Sequence, residues 1–189
     1  MTPGSMFQNS RLLFANKASK IVSLVFIFIL FMQAFLFSQA KPGVMAKAVQ
    51  DASKEITIHH EVNFTVSPQK LYQALLSSKE FSASTKKSFP VFTESSAIID
   101  PKAGGTFSLF DGHIIGRILE LVPNQRIVEA WRVVDWPAGV YSIARFELTP
   151  KGSGTHLVFD HIGFPAGLKK HLSDGWQEHY WDALNKYFK

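Results

Sequence analysis

The chain has 189 residues, a formal net charge of +5 and no cysteine. The lack of cysteine excludes disulfides, thiolate metal sites, a cysteine nucleophile and a lipoprotein acyl anchor. Residues 1–40 contain Arg11, Lys17 and Lys20 and no acidic residue, so residues 41–189 carry a net charge of only +2. That region contains no basic block long enough for a nucleic-acid footprint, and its length suits one domain.

Residues 1–40 have the features of an export signal. The 17 uncharged residues Ile21–Phe37 follow the three basic residues and precede Ser38-Gln39-Ala40, whose small first and third residues match a signal-peptidase site. We therefore predict cleavage after Ala40 and a periplasmic or extracellular protein. The alternative is a retained membrane anchor, because roughly 17–25 apolar residues suffice to cross a bilayer. The basic residues before an anchor would still place the domain outside.

Residues 41–55 are polar, with small residues and one Pro-Gly pair, and they predict a linker. The folded domain is predicted over 56–189, beginning with the strand Ile56–Val66. His60 shares its side of this strand with apolar residues. We interpret it as a hydrogen-bonded histidine near a rim, because buried polar groups normally have partners. A polar group inside a ligand cavity is the alternative.

Two short helices are expected after the first strand. Ser67 is suited to cap the first, and Pro68 at its first position loses no hydrogen bond. The second helix is predicted over Ser78–Ser84, with Phe81 facing inward. The loop Thr85–Val91 and the strand Phe92–Asp100 are expected next.

The centre of the chain predicts an antiparallel meander. Its strands are Thr106–Phe110, His113–Val122 and Arg126–Val134, separated by the turn pairs Asp111-Gly112 and Pro123-Asn124. In the third strand, Ile127, Glu129, Trp131 and Val133 share the face that we expect to be concave. The following loop, Trp136-Pro137-Ala138-Gly139, either contacts a partner or closes the end of the core with its tryptophan.

The last two strands and a long helix complete the domain. Tyr141–Thr149 alternates cleanly, with Ala144, Phe146 and Leu148 on one face, and Thr155–Gly163 returns after a glycine turn. The helix is predicted from Lys169 or Ser173 to Phe188, since Leu172, Trp176, Tyr180 and Leu184 recur at helical spacing. Gly175 within it predicts either the later start or a close contact with the sheet.

Four phrases occur in order between Gly104 and Leu184, within a resemblance that covers roughly Ile56–Phe188: GGTFSLFDGHIIGRILELVPNQRIVEAWR, W-P-x-G, GTHLVFDHIGFP and GWQEHYWDAL. In this order they resemble the carboxy-terminal domain of the activator of heat shock protein 90 ATPase family, within the START-like, birch-pollen-allergen-like (SRPBCC) superfamily. The resemblance implies an α+β helix-grip fold. A curved antiparallel sheet of six or seven strands would wrap around the long carboxy-terminal helix, with two short helices after strand one.

The space between sheet and helix is the natural ligand site in such a fold. The predicted lining residues are Trp131, Phe146, Phe159, Trp176 and Tyr180. No catalytic residue is assigned, because the seven histidines form no HExxH or other strong metal spacing and no G-x-S-x-G elbow is present. No cofactor, metal or nucleic-acid partner is expected.

Three functions remain open. The first is exported, non-enzymatic binding of an apolar small molecule. The second, implied by the resemblance, is docking on a heat shock protein 90 type ATPase and stimulating it. The third is a cavity enzyme of cyclase or hydrolase type. We rank ligand binding first, because heat shock protein 90 is not expected where an export signal would deliver this chain.

Overall fold

The computed structural model describes residues 42–86 and 96–189. The chain divides into two compact units, residues 1–50 and residues 51–189. Only residues 42–50 of the first unit are described, and they are helical. The second unit contains the sheet and the hydrophobic core.

The helices and strands follow one another in an order typical of an α+β domain. They are α1 (Pro42–Glu55), β1 (Thr57–Phe64), α2 (Pro68–Leu76), α3 (Ser78–Thr85), β2 (Ile98–Ile99), β3 (Thr106–Leu109), β4 (Ile114–Val122), β5 (Arg126–Val133), β6 (Ser142–Lys151), β7 (Gly154–Ile162), α4 (Lys169–Gly175), a π-helix (Trp176–Asp182) and α5 (Ala183–Tyr187).

The seven strands within residues 42–86 and 96–189 belong to one sheet, in the order β1-β7-β6-β5-β4-β3-β2, and every neighbouring pair is antiparallel. Its inward rows alternate as the sequence predicts: Ile127 and Trp131 on β5, Phe146 on β6 and Phe159 on β7 are each at most 3% exposed. The predicted α+β helix-grip fold is confirmed.

The turns of the meander require the residues that occupy them. Asp111 and Gly112 have φ values of 55° and 89°, and Asn124 has a φ of 63°. This left-handed region is costly for most side chains and accessible to glycine, asparagine and aspartate. At Gly116, a Cβ atom would lie 2.2 Å from the carbonyl oxygen of Ala130 and from the ring of Phe107, so only glycine fits there.

The segment before β1 differs in detail from the sequence prediction. A helix, α1, occupies Pro42–Glu55 where a linker is predicted. Half of its 14 residues are alanine, lysine, glutamine or glutamate, which have high helix propensity. The predicted signal in residues 1–40 lies outside the described residues, as do 87–95, which include parts of the predicted loop and strand near β2. Within the described ranges, no helix is long and apolar enough to cross a membrane.

The two short helices pack as predicted. The hydroxyl of Ser67 accepts a hydrogen bond from the backbone N–H of Lys70 (3.3 Å), and Ser77 caps α3 through the N–H of Glu80 (3.2 Å). Phe81 is 2% exposed and contacts the rings of Phe110 and Tyr180, at centroid distances of 5.7 and 5.5 Å. These helices therefore close one side of the core over the carboxy-terminal helix.

The carboxy-terminal helix runs from Lys169 to Tyr187 and is π-helical in its middle. A π-helix has a wider turn, which pairs residues five apart. Gln177 accordingly donates to the carboxylate of Asp182 (2.8 Å), and the rings of Trp176 and Trp181 stack with centroids 5.7 Å apart. Both tryptophans are therefore buried, although α-helical spacing predicts only Trp176 on the inward face.

Gly175 has helical backbone angles, and a Cβ atom there would meet only the His179 ring, at 3.9 Å. The helix begins at Lys169, six residues before it, so neither a later start nor close contact with the sheet explains this glycine. Both explanations predicted from the sequence are wrong.

Candidate functional site

A partly open pocket of about 130 Å³ lies between the carboxy-terminal helix and strands β4 and β5. Most of its wall is apolar, and three histidines also contribute. The lining residues are Phe110, His113, Ile114, Trp131, Val133, His171, Leu172, Gly175, Trp176, His179 and Tyr180. A cavity of comparable size, about 150 Å³ and apolar, is known to bind benzene, so this pocket is large enough for a one-ring molecule.

Closely packed aromatic rings, tilted or edge-to-face relative to one another, form the buried side of the pocket. The Trp176 ring lies 4.1 Å from that of Tyr180, 4.3 Å from Phe159 and 5.5 Å from Trp131, between ring centroids. Phe110 contacts Tyr180 at 5.5 Å. These rings are held from both the sheet and the helix, so the pocket wall is rigid.

The structure separates the five predicted lining residues. Trp131, Trp176 and Tyr180 line the pocket. Phe146 instead lines a second, smaller cavity of about 10 Å³, and Phe159 lines neither of these two cavities, because it is packed against Phe146 and Trp176. A ligand-binding role for these residues stays a prediction.

The smaller cavity contains a buried acid that sequence reasoning did not single out. Glu129 is 9% exposed and lines the cavity with apolar residues and Tyr180. Burial raises the pKa of Glu129 to about 8, because the charged form loses its hydration. The side chain is therefore mostly a neutral carboxylic acid at neutral pH. Its position in the inward row of β5 was the available signal.

Two further polar groups lie beside this acid. The indole N–H of Trp131 and the hydroxyl of Tyr180 are buried, and neither has a hydrogen bond of good geometry among the described residues. The two groups lie close enough to interact weakly, and burial together with the nearby Glu129 raises the pKa of Tyr180. Unpaired buried polar groups are rare in folded proteins, so each one needs an explanation.

A third polar cluster is fully paired. Trp176 donates its indole N–H to Nδ1 of His161 (2.9 Å), and Nε2 of His161 lies 2.6 Å from the hydroxyl of Ser142. Since Nδ1 accepts, Nε2 must carry the proton and donate to Ser142, whose hydroxyl donates to the carbonyl of Trp131 (2.9 Å). His161 therefore cannot act as the base that activates Ser142.

The surroundings also keep His161 uncharged. The ring is fully buried, and burial lowers its pKa to about 3. Strand alternation puts His156 and His161 on opposite faces of β7, and of these two only His161 is buried.

His60 is a hydrogen-bonded, partly buried histidine, as the sequence analysis favoured. Its Nδ1 accepts a hydrogen bond from the indole of Trp181 (2.8 Å), and its Nε2 lies 2.8 Å from the hydroxyl of Ser173. The ring is half-buried, and burial lowers its pKa.

Trp136 closes the end of the core, which is one of the two roles expected for its loop. Its side chain is 8% exposed and its ring lies 5.5 Å from that of Trp131, between centroids. Its backbone carbonyl accepts a hydrogen bond from the Arg132 side chain.

The outer face of the sheet carries ion pairs. Asp160 accepts from His59 and from Arg145, each at 2.7 Å. Burial of Asp160 opposes ionisation, but the hydrogen bonds from His59 and Arg145 outweigh it and lower the pKa of Asp160. The hydrogen bonds of His59 to Asp160 and Glu61 raise the pKa of His59. No group of three or more histidine and acidic residues in the described ranges is arranged to hold a metal ion.

Comparisons with known proteins agree with this fold. Residues 65–189 match the family described as "Activator of Hsp90 ATPase homolog 1-like protein". The chain is similar to the "Activator of 90 kDa heat shock protein ATPase homolog 1" of mouse and of human, with 29% and 28% identity over 152 residues and 80% of this chain. It spans about 40% of the length of these two relatives.

Solved structures show the same architecture. An HSP90 activator from Plasmodium falciparum superimposes with a TM-score of 0.63 and 25% identity, over 69% of this chain and 94% of that one. The CalU16 protein of Micromonospora echinospora superimposes with a TM-score of 0.57 over 70% of this chain and 76% of that one. At 20% identity the second likeness supports the fold alone.

Proposed function

Because this chain belongs to the activator of Hsp90 ATPase homolog 1-like family, we propose that its folded domain binds a heat shock protein 90 type chaperone and raises its ATP turnover. The observation that carries this proposal is the likeness to the Plasmodium protein. The matched fold makes up 94% of that crystallised chain, which is described as an HSP90 activator.

The exposed apolar residues at one end of the sheet are the natural contact for a protein partner. Tyr141 and Ile162 are 47% and 45% exposed, and Ile143 lies directly opposite Ile162 on the neighbouring strand. With Ile56 they line an open, mostly apolar groove. Burying such side chains against a partner contributes about 1.5–3 kcal/mol for each one fully covered.

The test is the ATP turnover of a purified heat shock protein 90 type ATPase with and without residues 41–189 of this chain. We expect turnover to rise with saturation at micromolar to tens of micromolar concentrations. Replacing Ile162 with serine should weaken binding about tenfold, since it removes roughly 1.4 kcal/mol of contact. Leu119→Ser is the matched control, because Leu119 is 46% exposed and lies on β4, away from the groove. Unchanged turnover and undetectable binding would refute the proposal.

A second function is favoured by the pocket itself. Its volume of about 130 Å³ and its aromatic wall suit a one-ring apolar molecule. The π-helix supports this reading, because such segments are frequent at functional sites and this one supplies Trp176 and Tyr180 to the pocket. In this proposal the domain binds a small apolar ligand and does not catalyse a reaction.

Export accompanies the ligand-binding proposal and competes with chaperone binding, because a heat shock protein 90 type chaperone is not expected where an export signal would deliver the chain. We expect the mature chain to begin at Lys41, as the residues before it predict. Sequencing the amino terminus of the protein isolated from its native cells tests this. A chain that retains residues 1–40 and needs detergent for extraction would favour the anchor instead.

A further inference from the structure

Two of the unpaired polar groups belong to residues that line the apolar pocket. Trp131 and Tyr180 both contribute to its wall, and they are only 3% and 5% exposed. Tyr180 also lines the small cavity that contains Glu129. The Tyr180 hydroxyl interacts weakly with the Trp131 indole N–H and with the Glu129 carboxyl group, so these three hydrogen-bonding groups lie close together where the pocket and the small cavity share Tyr180.

The two tryptophans on the carboxy-terminal helix, unlike Trp131 on β5, have hydrogen-bond partners. The indole N–H groups of Trp176 and Trp181 donate to His161 and His60, at 2.9 and 2.8 Å. The fold thus provides a partner for each of these two groups, while Trp131 and Tyr180 have none of good geometry among the described residues. Leaving buried donors unpaired costs stability, and a bound oxygen atom would remove that cost.

We propose that Trp131, Tyr180 and Glu129 form a hydrogen-bonding subsite that selects small aromatic molecules carrying one uncharged oxygen, such as a phenol or an aryl ketone. The inference rests on the second function proposed above, ligand binding in the pocket, and it is independent of chaperone binding. The ligand oxygen accepts from the indole of Trp131, and the hydroxyl and the neutral acid complete its hydrogen bonds.

The surroundings favour an uncharged oxygen over a charged one. The pocket wall and the walls of the small cavity are mostly apolar, so a carboxylate would lose its hydration on entering. The small cavity has a volume of about 10 Å³, which is about the size of one water molecule. It therefore has room for a single oxygen atom and not for a second ring.

The probes are ethylbenzene and 4-ethylphenol, which differ by one hydroxyl group. Residues 41–189, which include the whole compact unit 51–189, are first checked for cooperative urea unfolding. Each probe is then titrated while the tryptophan indole N–H resonances are followed by NMR. We expect 4-ethylphenol to bind about tenfold more tightly, since a site with buried polar groups discriminates against a ligand that leaves them unpaired.

The indole resonances locate the contact. The Trp131 signal should move with 4-ethylphenol much more than with ethylbenzene, because only the phenol offers it an acceptor. The Trp181 signal serves as the internal reference, since its N–H is already bonded to His60. This readout decides the proposal even if a variant fails to fold.

Tyr180→Phe is the informative variant, and Tyr187→Phe is its matched control. Both remove one hydroxyl from the same helix, but Tyr187 is 40% exposed. The preference for the phenol should fall to threefold or less in Tyr180→Phe and stay unchanged in Tyr187→Phe. Equal affinities for the two probes in the unaltered domain, or a preference that survives Tyr180→Phe, would overturn the subsite. If neither probe binds, the ligand function fails together with it, and the chaperone proposal stands untouched.

Discussion

Replacing Trp176 with alanine is expected to lower the free energy of unfolding by about 3–5 kcal/mol. The side chain is 2% exposed and contacts rings on both the sheet and the helix, including Trp131, Phe146 and Phe159. Its removal leaves a cavity that rings held on rigid strands cannot refill. It also leaves Nδ1 of His161 without its donor, which adds the cost of an unpaired buried acceptor.

A second variant separates the loss of the hydrogen bond to His161 from the loss of aromatic packing. Trp176→Phe keeps an aromatic ring but deletes the N–H, so it should cost about 1–3 kcal/mol from the unpaired acceptor and a smaller void. Urea unfolding of residues 41–189 measures both variants. If Trp176→Ala costs less than about 1 kcal/mol, the helix is not packed on the sheet as described. The pocket would then be larger than its volume indicates.

Acidification from pH 7.5 to pH 4.5 is expected to destabilise the Glu129→Gln variant by about 2–3 kcal/mol. The cause is His161, whose pKa burial lowers from an ordinary value of 6.5 to about 3. Below pH 6.5 His161 binds a proton in the unfolded chain. In the folded protein its ring stays neutral, because Nδ1 accepts a hydrogen bond from the Trp176 N–H. Stability is therefore retained above pH 6.5 and lost progressively as the pH falls towards 3.

The unaltered protein should hide this effect, since Glu129 acts in the opposite direction. Its pKa is about 8 when folded, against an ordinary value of 4.5, so its contribution is present below pH 4.5 and lost as the pH rises towards 8. Acidification removes the destabilisation that comes from burying Glu129, whose unfolded form is ionised at higher pH. It adds the destabilisation that comes from keeping His161 neutral. The net change over the same range should be within about 1 kcal/mol. Glutamine resembles the neutral acid in shape, so the variant should fold.

Unfolding by urea at pH 7.5, 6 and 4.5 measures both proteins. Burial also lowers the pKa of His60, which adds to the loss, and the exposed His59, whose pKa is raised by Asp160 and Glu61, opposes it weakly. A pH profile of Glu129→Gln as flat as that of the unaltered protein would show that His161 accepts a proton in the folded state. The hydrogen-bond directions assigned to Ser142 and Trp176 would then be wrong.

Sequence patterns predicted the structure correctly wherever a residue's neighbours along the chain determine its conformation. The turns at Asp111-Gly112 and Asn124 follow from the left-handed backbone that these residues tolerate. The inward positions of Trp131, Phe146 and Phe159 follow from strand alternation, since side chains two apart point to the same face. Ser67 and Pro68 likewise predicted where α2 begins. The order of four phrases along the chain was enough to identify the fold.

Local rules failed where the outcome depends on what lies opposite a residue. Alternation put Glu129 on the inward face, but only the apolar helices and rings packed over it make it a neutral acid. Helical spacing missed Trp181, because the π-helix that buries it is stabilised by contacts with Phe146 and Phe159 on the sheet. The sequence therefore determined the strands, the turns and the face of each side chain, through interactions between residues close along the chain. The tertiary structure alone decided which polar atoms are paired, which are buried without partners, and where a pocket remains, because those properties depend on atoms that distant segments bring together.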